Sequence, residues 1–423
     1  MGADFSAEEK LKILIVSQYF WPEDFRLNEL ASNLVERGHE VTVLTGLPNY
    51  PTGSVFPGYG LRGPWTQMHQ GVRILRAPLV ARGRKNKLRL VLNYFSFTLT
   101  GSLVALFRVR ERYDAVFVYQ VSPVTVGFPG IIAKWKARAP MFLWVLDVWP
   151  ESLSASGMVK SPFANKVAGW LARMVYAGSD VILATSQGFD EPICRVAGER
   201  REVRWFPQWE DLRKDTAPID PANLPSLPEG FKVVFTGNVG SSQDFETVLA
   251  AASLLKDRKD IQFVIVGDGH ELDWVRQEAA RRDLADTFHC LGRFPSTEMP
   301  AFYRQADALL VSLRNEPAFA LTVPAKLQSY LAAGKPIISS VSGDVKRIVS
   351  ESGAGIGVDA GSPGELAAAI EKLADTSLDA RIEMGRRGRA YMEKYYNMDT
   401  LFDQLVEWFR QEKRKRAGSQ RAD

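Results

Sequence analysis

Residues 306–313 read Ala-Asp-Ala-Leu-Leu-Val-Ser-Leu, and residues 322–338 read Thr-Val-Pro-Ala-Lys-Leu-Gln-Ser-Tyr-Leu-Ala-Ala-Gly-Lys-Pro-Ile-Ile. The first run predicts a buried strand over Leu309–Leu313. The second predicts a helix over Val323–Ala333 and a further strand over Ile337–Ser340. Thr322 suits the N-cap and Pro324 the first helical turn, where a missing N–H costs nothing. Gly334 stands where the chain must leave the helix. Such a helix start presents free N–H groups and the positive end of a dipole, and Lys326 adds a full charge one turn in. That is an anion site, most simply one for phosphate.

The same alternation extends both ways. Apolar runs at Ile13–Ser17, Val41–Thr45, Ala115–Tyr119, Met141–Leu146 and Val181–Thr185 predict strands, with helices at Leu27–Arg37 and Lys166–Tyr176 among them. Between Pro207 and Gly230 the pattern fails, and Pro218, Pro221, Pro225 and Pro228 gather among polar residues, as in a linker. It then restarts with strands at Val233–Thr236 and Gln262–Val266 and helices at Phe245–Lys256 and Leu272–Arg281. Helices at Glu365–Ala374, Arg381–Tyr395 and Thr400 to about Arg414 end the series. Strands alternating with helices predict parallel, doubly wound sheets. At 423 residues two domains are expected. The expected boundaries are 1–208, a linker at 209–230, a second domain at 231–396, and a final helix and basic tail at 397–423.

Composition is globular, with 46% hydrophobic and 24% charged residues. A net charge of +4 does not argue for nucleic acid, and no aromatic-interleaved basic motif accompanies it. Cys194 and Cys290 lie far apart without close Cys or His partners, which fits a reduced cytoplasmic setting and no zinc site. His39, His69 and His289 read as structural and His270 as a loop residue. The polar, acidic first ten residues do not resemble a secretion signal. One stretch qualifies this picture. Arg82, Arg84, Lys85, Lys87 and Arg89 precede the uncharged run Leu90–Phe107, and Arg108, Arg110 and Arg112 follow it. Asn93, Ser96, Thr98, Thr100 and Ser102 make it too polar for a clear membrane span. A buried helix of the first domain with solvated ends is the plain alternative; the basic residues on both flanks favour an element resting on an anionic membrane surface.

Gly237-Asn238-Val239-Gly240 after a strand lets backbone approach a ligand closely. Alone it could equally be an ordinary tight turn, and the Pro324–Lys326 helix start tips the reading toward a nucleotide. Gly267-Asp268-Gly269-His270-Glu271-Leu272 nearly matches a dinucleotide fingerprint. Its third glycine is Leu272, however, no acid marks the next strand, and it occupies the second βα turn of its half. A nicotinamide or flavin site is therefore set aside.

In order, Glu36-Arg37-Gly38-His39-Glu40-Val41-Thr42-Val43, the Gly237–Gly240 turn, Val264–Gly269, Leu291-Gly292-Arg293-Phe294 and the 322–338 segment resemble glycosyltransferase family 4 with its GT-B fold. The branch that builds bacterial surface polysaccharides is the nearest match. The resemblance implies two Rossmann-like domains facing across a cleft and a C-terminal helix crossing back to the first. It also implies retaining, metal-independent transfer without a cofactor. The sugar, an N-acetylated amino sugar, would pass from a UDP donor to a lipid-linked saccharide at the inner face of the cytoplasmic membrane. Donor contacts would come from Gly237, Asn238, Gly240, Gly267, Asp268, Gly269, Arg293, Phe294, Arg314, Thr322, Val323, Pro324, Lys326 and Ser329. Arg347 is a further cation for the leaving diphosphate. This chain departs from the family signature at three places. Leu321 and Ser329 occupy the positions of its two Glu residues, and Asn238 and Gln243 stand where an Arg and a Lys are common.

On the acceptor side, Asp147 ends a strand within Leu-Asp-Val-Trp-Pro-Glu-Ser. A carboxylate there accepts the acceptor's proton or steadies the oxocarbenium-like sugar, and capping the next turn is its structural alternative. Trp149, Glu151, Tyr19 and Arg26 complete the expected acceptor set: the aromatics suit a sugar face and Arg26 an acceptor phosphate, with surface packing as their alternative, and a plain first-turn helix acid is the alternative for Glu151. Two other functions stay open at this level: a GT-B nucleotide-sugar epimerase or hydrolase, and a non-catalytic scaffold subunit of a membrane glycan assembly.

Overall fold

The computed structural model describes residues 9–83, 86–155, 161–211 and 225–419. Most of the expected linker, and the basic residues Arg84 and Lys85, lie outside them. The chain forms two compact units. One comprises Met1–Thr185, Phe189–Phe206 and Phe402–Asp423, and the other Ser186–Gly188 and Pro207–Leu401.

The first unit is built on an eight-stranded sheet. Its strands are β1 (Lys12–Val16), β2 (Glu40–Gly46), β3 (Thr66–His69), β4 (Val72–Ala77), β5 (Ala115–Gln120), β6 (Met141–Val145), β7 (Val181–Ala184) and β8 (Val203–Trp205). The order is β3-β4-β2-β1-β5-β6-β7-β8, parallel except where β3 pairs antiparallel with β4. The central strands are buried throughout, which is why they read as continuous apolar runs. The sequence pattern passes over β3, whose Thr-Gln-Met-His is polar and half-exposed at the sheet edge. It also passes over the helix Gly127–Ala137, which carries Gly127, Pro129 and Gly130. These glycines serve close packing. A Cβ at Gly127 would stand 2.2 Å from Val175, and one at Gly130 would stand 2.4 Å from Val118.

The C-terminal helix Met398–Ser419 belongs to the first unit from Phe402 onward. Phe409 is fully buried edge-on against Phe142, at 4.8 Å between ring centroids. Burying such a side chain is worth roughly 1.5–3 kcal/mol. The basic tail is partly paired. Lys413 reaches Asp114 at 2.8 Å and Arg416 reaches Asp180 at 3.3 Å. Arg204 and Glu412 form a better-shielded pair at 2.8 Å.

The second unit has a parallel six-stranded sheet in the order β11-β10-β9-β12-β13-β14. The strands are β9 (Phe231–Thr236), β10 (Ile261–Val266), β11 (Phe288–Gly292), β12 (Ala308–Ser312), β13 (Ile337–Ser340) and β14 (Gly355–Val358). In both sheets the order reverses at one point, between β1 and β5 and between β9 and β12. Ligands of such sheets bind outside the carboxyl ends of the strands at that point.

Candidate active site

In the second unit, three turns at the carboxyl ends of β9, β10 and β11 are laced together by backbone hydrogen bonds. Gly237 N–H donates to Val266 O at 2.9 Å, Gly267 N–H to Gly292 O at 2.8 Å, and Val239 N–H to Asp268 O at 2.9 Å. A Cβ at Gly267 would fall 1.8 Å from Gly237 O, and one at Gly269 would fall 2.2 Å from Val239 O. The Gly-Asp-Gly run is thus spent on packing against the Gly237–Gly240 turn, which accounts for its partial likeness to a dinucleotide fingerprint. Gly237 itself has φ +124°, a conformation that favours glycine.

The helix carrying Lys326 runs from Lys326 to Ala332 and is shorter than the expected Val323–Ala333. Thr322 is not its cap, because the Thr322 hydroxyl donates to Ala318 O at 2.8 Å and closes the preceding turn. Val323 and Pro324 lie part-buried beside it, and Leu327 N–H donates to Pro324 O at 2.9 Å. Gly334 leaves the helix at φ +64°, as its sequence position suggests. Tyr330, fully buried on this helix, accepts from Thr236 N–H at 2.8 Å and pins the helix to the end of β9.

That pin sets Lys326. Its ammonium donates to Gln243 Oε1 at 2.8 Å, lies 3.7 Å from the centre of the Phe235 ring, and stands 3.3 Å from where a Cβ of Gly237 would be. The expected phosphate turn and the expected cation therefore meet. Burial pushes the Lys326 pKa down to about 7. A bound anion would draw it up again, so nucleotide binding should take up protons between the free and bound pKa values. Below about 7 Lys326 is already charged, and this uptake vanishes. As pH rises above about 7 affinity should fall, with about one proton taken up per nucleotide at about pH 8. Calorimetry in buffers of different ionisation heat measures the uptake. A Lys326→Met protein should show none.

Arg314 joins the same cluster through its backbone, which donates to Ser242 O at 3.0 Å. Asn238 lies beside Gly240, its amide nitrogen 2.5 Å from where a Cβ of Gly240 would be. Arg293 is exposed, directly after Gly292, and Phe294 packs edge-on against Phe302 at 4.9 Å. Arg347, expected as a free cation, is engaged by Asp344 at 3.1 Å and Glu351 at 3.0 Å. Ser329 donates to Glu210 Oε2 at 2.6 Å. Ser329, which holds one of the two Glu positions of the family signature, is thus paired with a carboxylate from 119 residues away in sequence, and no local motif signals it.

In the first unit, Asp147 follows β6. Its Oδ2 accepts from the Ser122 hydroxyl at 2.9 Å, and Trp149 Nε1–H donates to that hydroxyl at 3.2 Å. The buried Gln120 holds the Asp147 carbonyl at 2.9 Å. Burial raises the Asp147 pKa, against the Ser122 hydrogen bonds that lower it. The carboxylate is thereby a stronger proton acceptor than an ordinary Asp, and it does not cap a helix with this oxygen. Burial likewise raises Glu151, the first residue of the helix Glu151–Ala155.

Tyr19, expected to offer a face to a sugar, is buried and stacked on Phe25 at 5.2 Å. Arg26 opens the helix Arg26–Glu36 and lies close enough to Tyr119 to influence it electrostatically. Sequence reading missed a buried network behind them. Glu23 accepts from the N–H groups of Asn49 at 2.8 Å and Tyr50 at 2.7 Å, while burial pushes it up to about 7. Among the described residues no three His, Cys, Asp or Glu side chains gather as a metal set.

Residues 25–209 match the glycosyl transferase 4-like domain, and residues 218–391 match glycosyl transferases group 1. WbjE of Pseudomonas aeruginosa, named as a glycosyltransferase, is 28% identical over 60% of this chain and 65% of its own length. WcaI of Escherichia coli K12, named for colanic acid biosynthesis, is 26% identical over 77% of this chain and 82% of its own. The structure of HepE from Anabaena with UDP-glucose covers 95% of this chain and all of that one, with a TM-score of 0.64 and 16% identity. With both halves matched by glycosyltransferase domains and the two-sheet architecture shared, the chain belongs to glycosyltransferase family 4, with the GT-B fold.

Proposed function

We propose that this protein is a retaining, metal-independent transferase that moves an N-acetylated amino sugar from a UDP donor to a saccharide carried on a lipid diphosphate. It acts at the inner face of a bacterial cytoplasmic membrane. The observation that carries the reading is the Lys326 ammonium seated beside the Gly237–Gly240 turn at the order reversal of the second sheet. Cleaving the anomeric bond leaves a nucleoside diphosphate with growing negative charge. A preorganised cation and backbone N–H groups stabilise it without reorganising. Nucleotide binding exchanges the Gln243 contact of Lys326 for a diphosphate oxygen. In the first unit Asp147 accepts the acceptor's proton, and Ser122 and Gln120 hold it in place. The relative WcaI, named for colanic acid biosynthesis, favours a bacterial polysaccharide as the product, and the ligand of HepE favours a UDP-sugar.

Mass spectrometry of reactions containing a panel of nucleotide sugars and a bacterial lipid extract tests the reading. A lipid-linked product heavier by one sugar, with free UDP, is expected. Consumption of donor without any such product, as epimer or hydrolysate, would replace it.

The membrane part rests on the helix Lys87–Arg108, which has no acidic residue and is long and apolar. Asn93, Phe97, Gly101 and Ala105 form its buried stripe, and the rest of its surface is largely open. Changing Arg84, Lys85, Lys87 and Arg89 to Gln should move the protein from anionic vesicles into solution, more so at moderate salt. Equal co-sedimentation of parent and variant would exclude electrostatic docking.

A further inference from the structure

Between the helices Lys87–Arg108 and Pro162–Gly178 of the first unit lies a groove of about 200 Å³, lined almost wholly by carbon. Leu90, Tyr94, Pro123, Ala168 and Leu171 form part of its walls, and Trp149 lies at one side. We propose that this groove holds the hydrocarbon tail of the lipid-linked acceptor, the segment nearest the headgroup, and so leads the acceptor to Asp147. The inference deepens the proposed function and rests on its lipid-linked acceptor.

Trp149 joins the groove to the reacting end. Its indole N–H donates to Ser122, and Ser122 donates to Asp147, so one wall of an apolar channel is hydrogen-bonded to the candidate base. Tyr94, on the opposite helix, lines the groove and lies within electrostatic reach of both Asp147 and Arg82. At the outer rim the apolar surface continues into water: Phe95 is 54% exposed and Trp170 60%. Lys87 lines the groove as well and Arg89 follows it, whereas the helix brings no acid to this end. A carbon-lined groove with a lysine in its lining is complementary to a hydrocarbon chain bearing an anionic headgroup. A bound saccharide would instead need hydrogen-bonding groups, which these walls scarcely offer.

The test uses the full chain and a fifteen-carbon isoprenyl diphosphate, with inorganic diphosphate as control. The parent should bind the isoprenyl compound at least about tenfold more tightly than the control, the effect of burying two or more methylenes. Val91→Trp and Val167→Trp, at rim positions 47% and 39% exposed that tolerate bulk, should block the groove. They should lose that preference and raise KM for the lipid-linked acceptor. UDP affinity, melting temperature and KM for a short-chain acceptor should stay parental. Ala168→Trp fills the groove from within and serves as a further variant. Equal affinity for the two diphosphates in the parent, or parental binding in both rim variants, would overturn the proposal. So would self-association that buries this face in light scattering. Isoprenyl binding that the rim variants abolish, in a protein that transfers no sugar, would support the groove and defeat the transferase reading instead.

Discussion

Replacing Asp147 with Asn is expected to lower turnover by ~10²–10⁴-fold while leaving donor affinity and melting temperature at parental values. Asn keeps the size of the side chain and can still pair with the Ser122 hydroxyl, which is 2.9 Å away in the parent. What it loses is the charge and the ability to take a proton. A purely structural role predicts the opposite outcome, since Asn substitutes well for Asp in turns. The pH profile adds a second readout. Burial raises the Asp147 pKa, so the acidic limb of the parent's turnover should lie at higher pH than for an ordinary Asp. Removing Ser122 as a donor should move that limb higher still. Turnover near parental in a well-folded Asp147→Asn protein would assign Asp147 to structure alone.

The second large effect belongs to Lys326→Ala. Losing one charge-assisted contact to a diphosphate costs about 1.5–3 kcal/mol, or roughly 10–150-fold in affinity. Turnover should fall as well, because the same charge meets the leaving group as it develops. The fold has reason to tolerate the change. In the free protein Lys326 costs desolvation, as its pKa of about 7 indicates, and its hydrogen-bond partner is the neutral Gln243. A melting temperature at or above the parent's, with weakened UDP binding, is the expected pair of results. UDP affinity unchanged by the substitution would remove Lys326 from the donor site.

Much of this was legible because buried parallel strands write themselves as apolar runs. Leu272–Arg281 and Ile337–Ser340 coincide with their expected limits. The encounter of Lys326 with the Gly237 turn was also readable, since a βα turn and a neighbouring helix start share one sheet edge in such a topology. What stayed hidden depends on contacts distant in sequence. Nothing near Ser329 announces Glu210, and nothing near Asp147 announces Ser122 or Gln120. Thr322 has the right chemistry for a cap, yet its hydroxyl is taken by the Ala318 carbonyl of the turn before it. Tyr19 reads as a loop aromatic until Phe25 and Tyr50 are seen to enclose it. Arg347 reads as an available cation until Asp344 and Glu351 are seen on either side of it.

The central claim is that the second unit grips the donor diphosphate through the Gly237–Gly240 turn and Lys326. A crystal structure with UDP bound tests it most directly. The account predicts a diphosphate oxygen within hydrogen-bonding distance of Lys326 Nζ and the backbone N–H groups of the turn, with the Gln243 contact released. UDP seated elsewhere, or Lys326 still donating to Gln243 beneath a bound nucleotide, would contradict it.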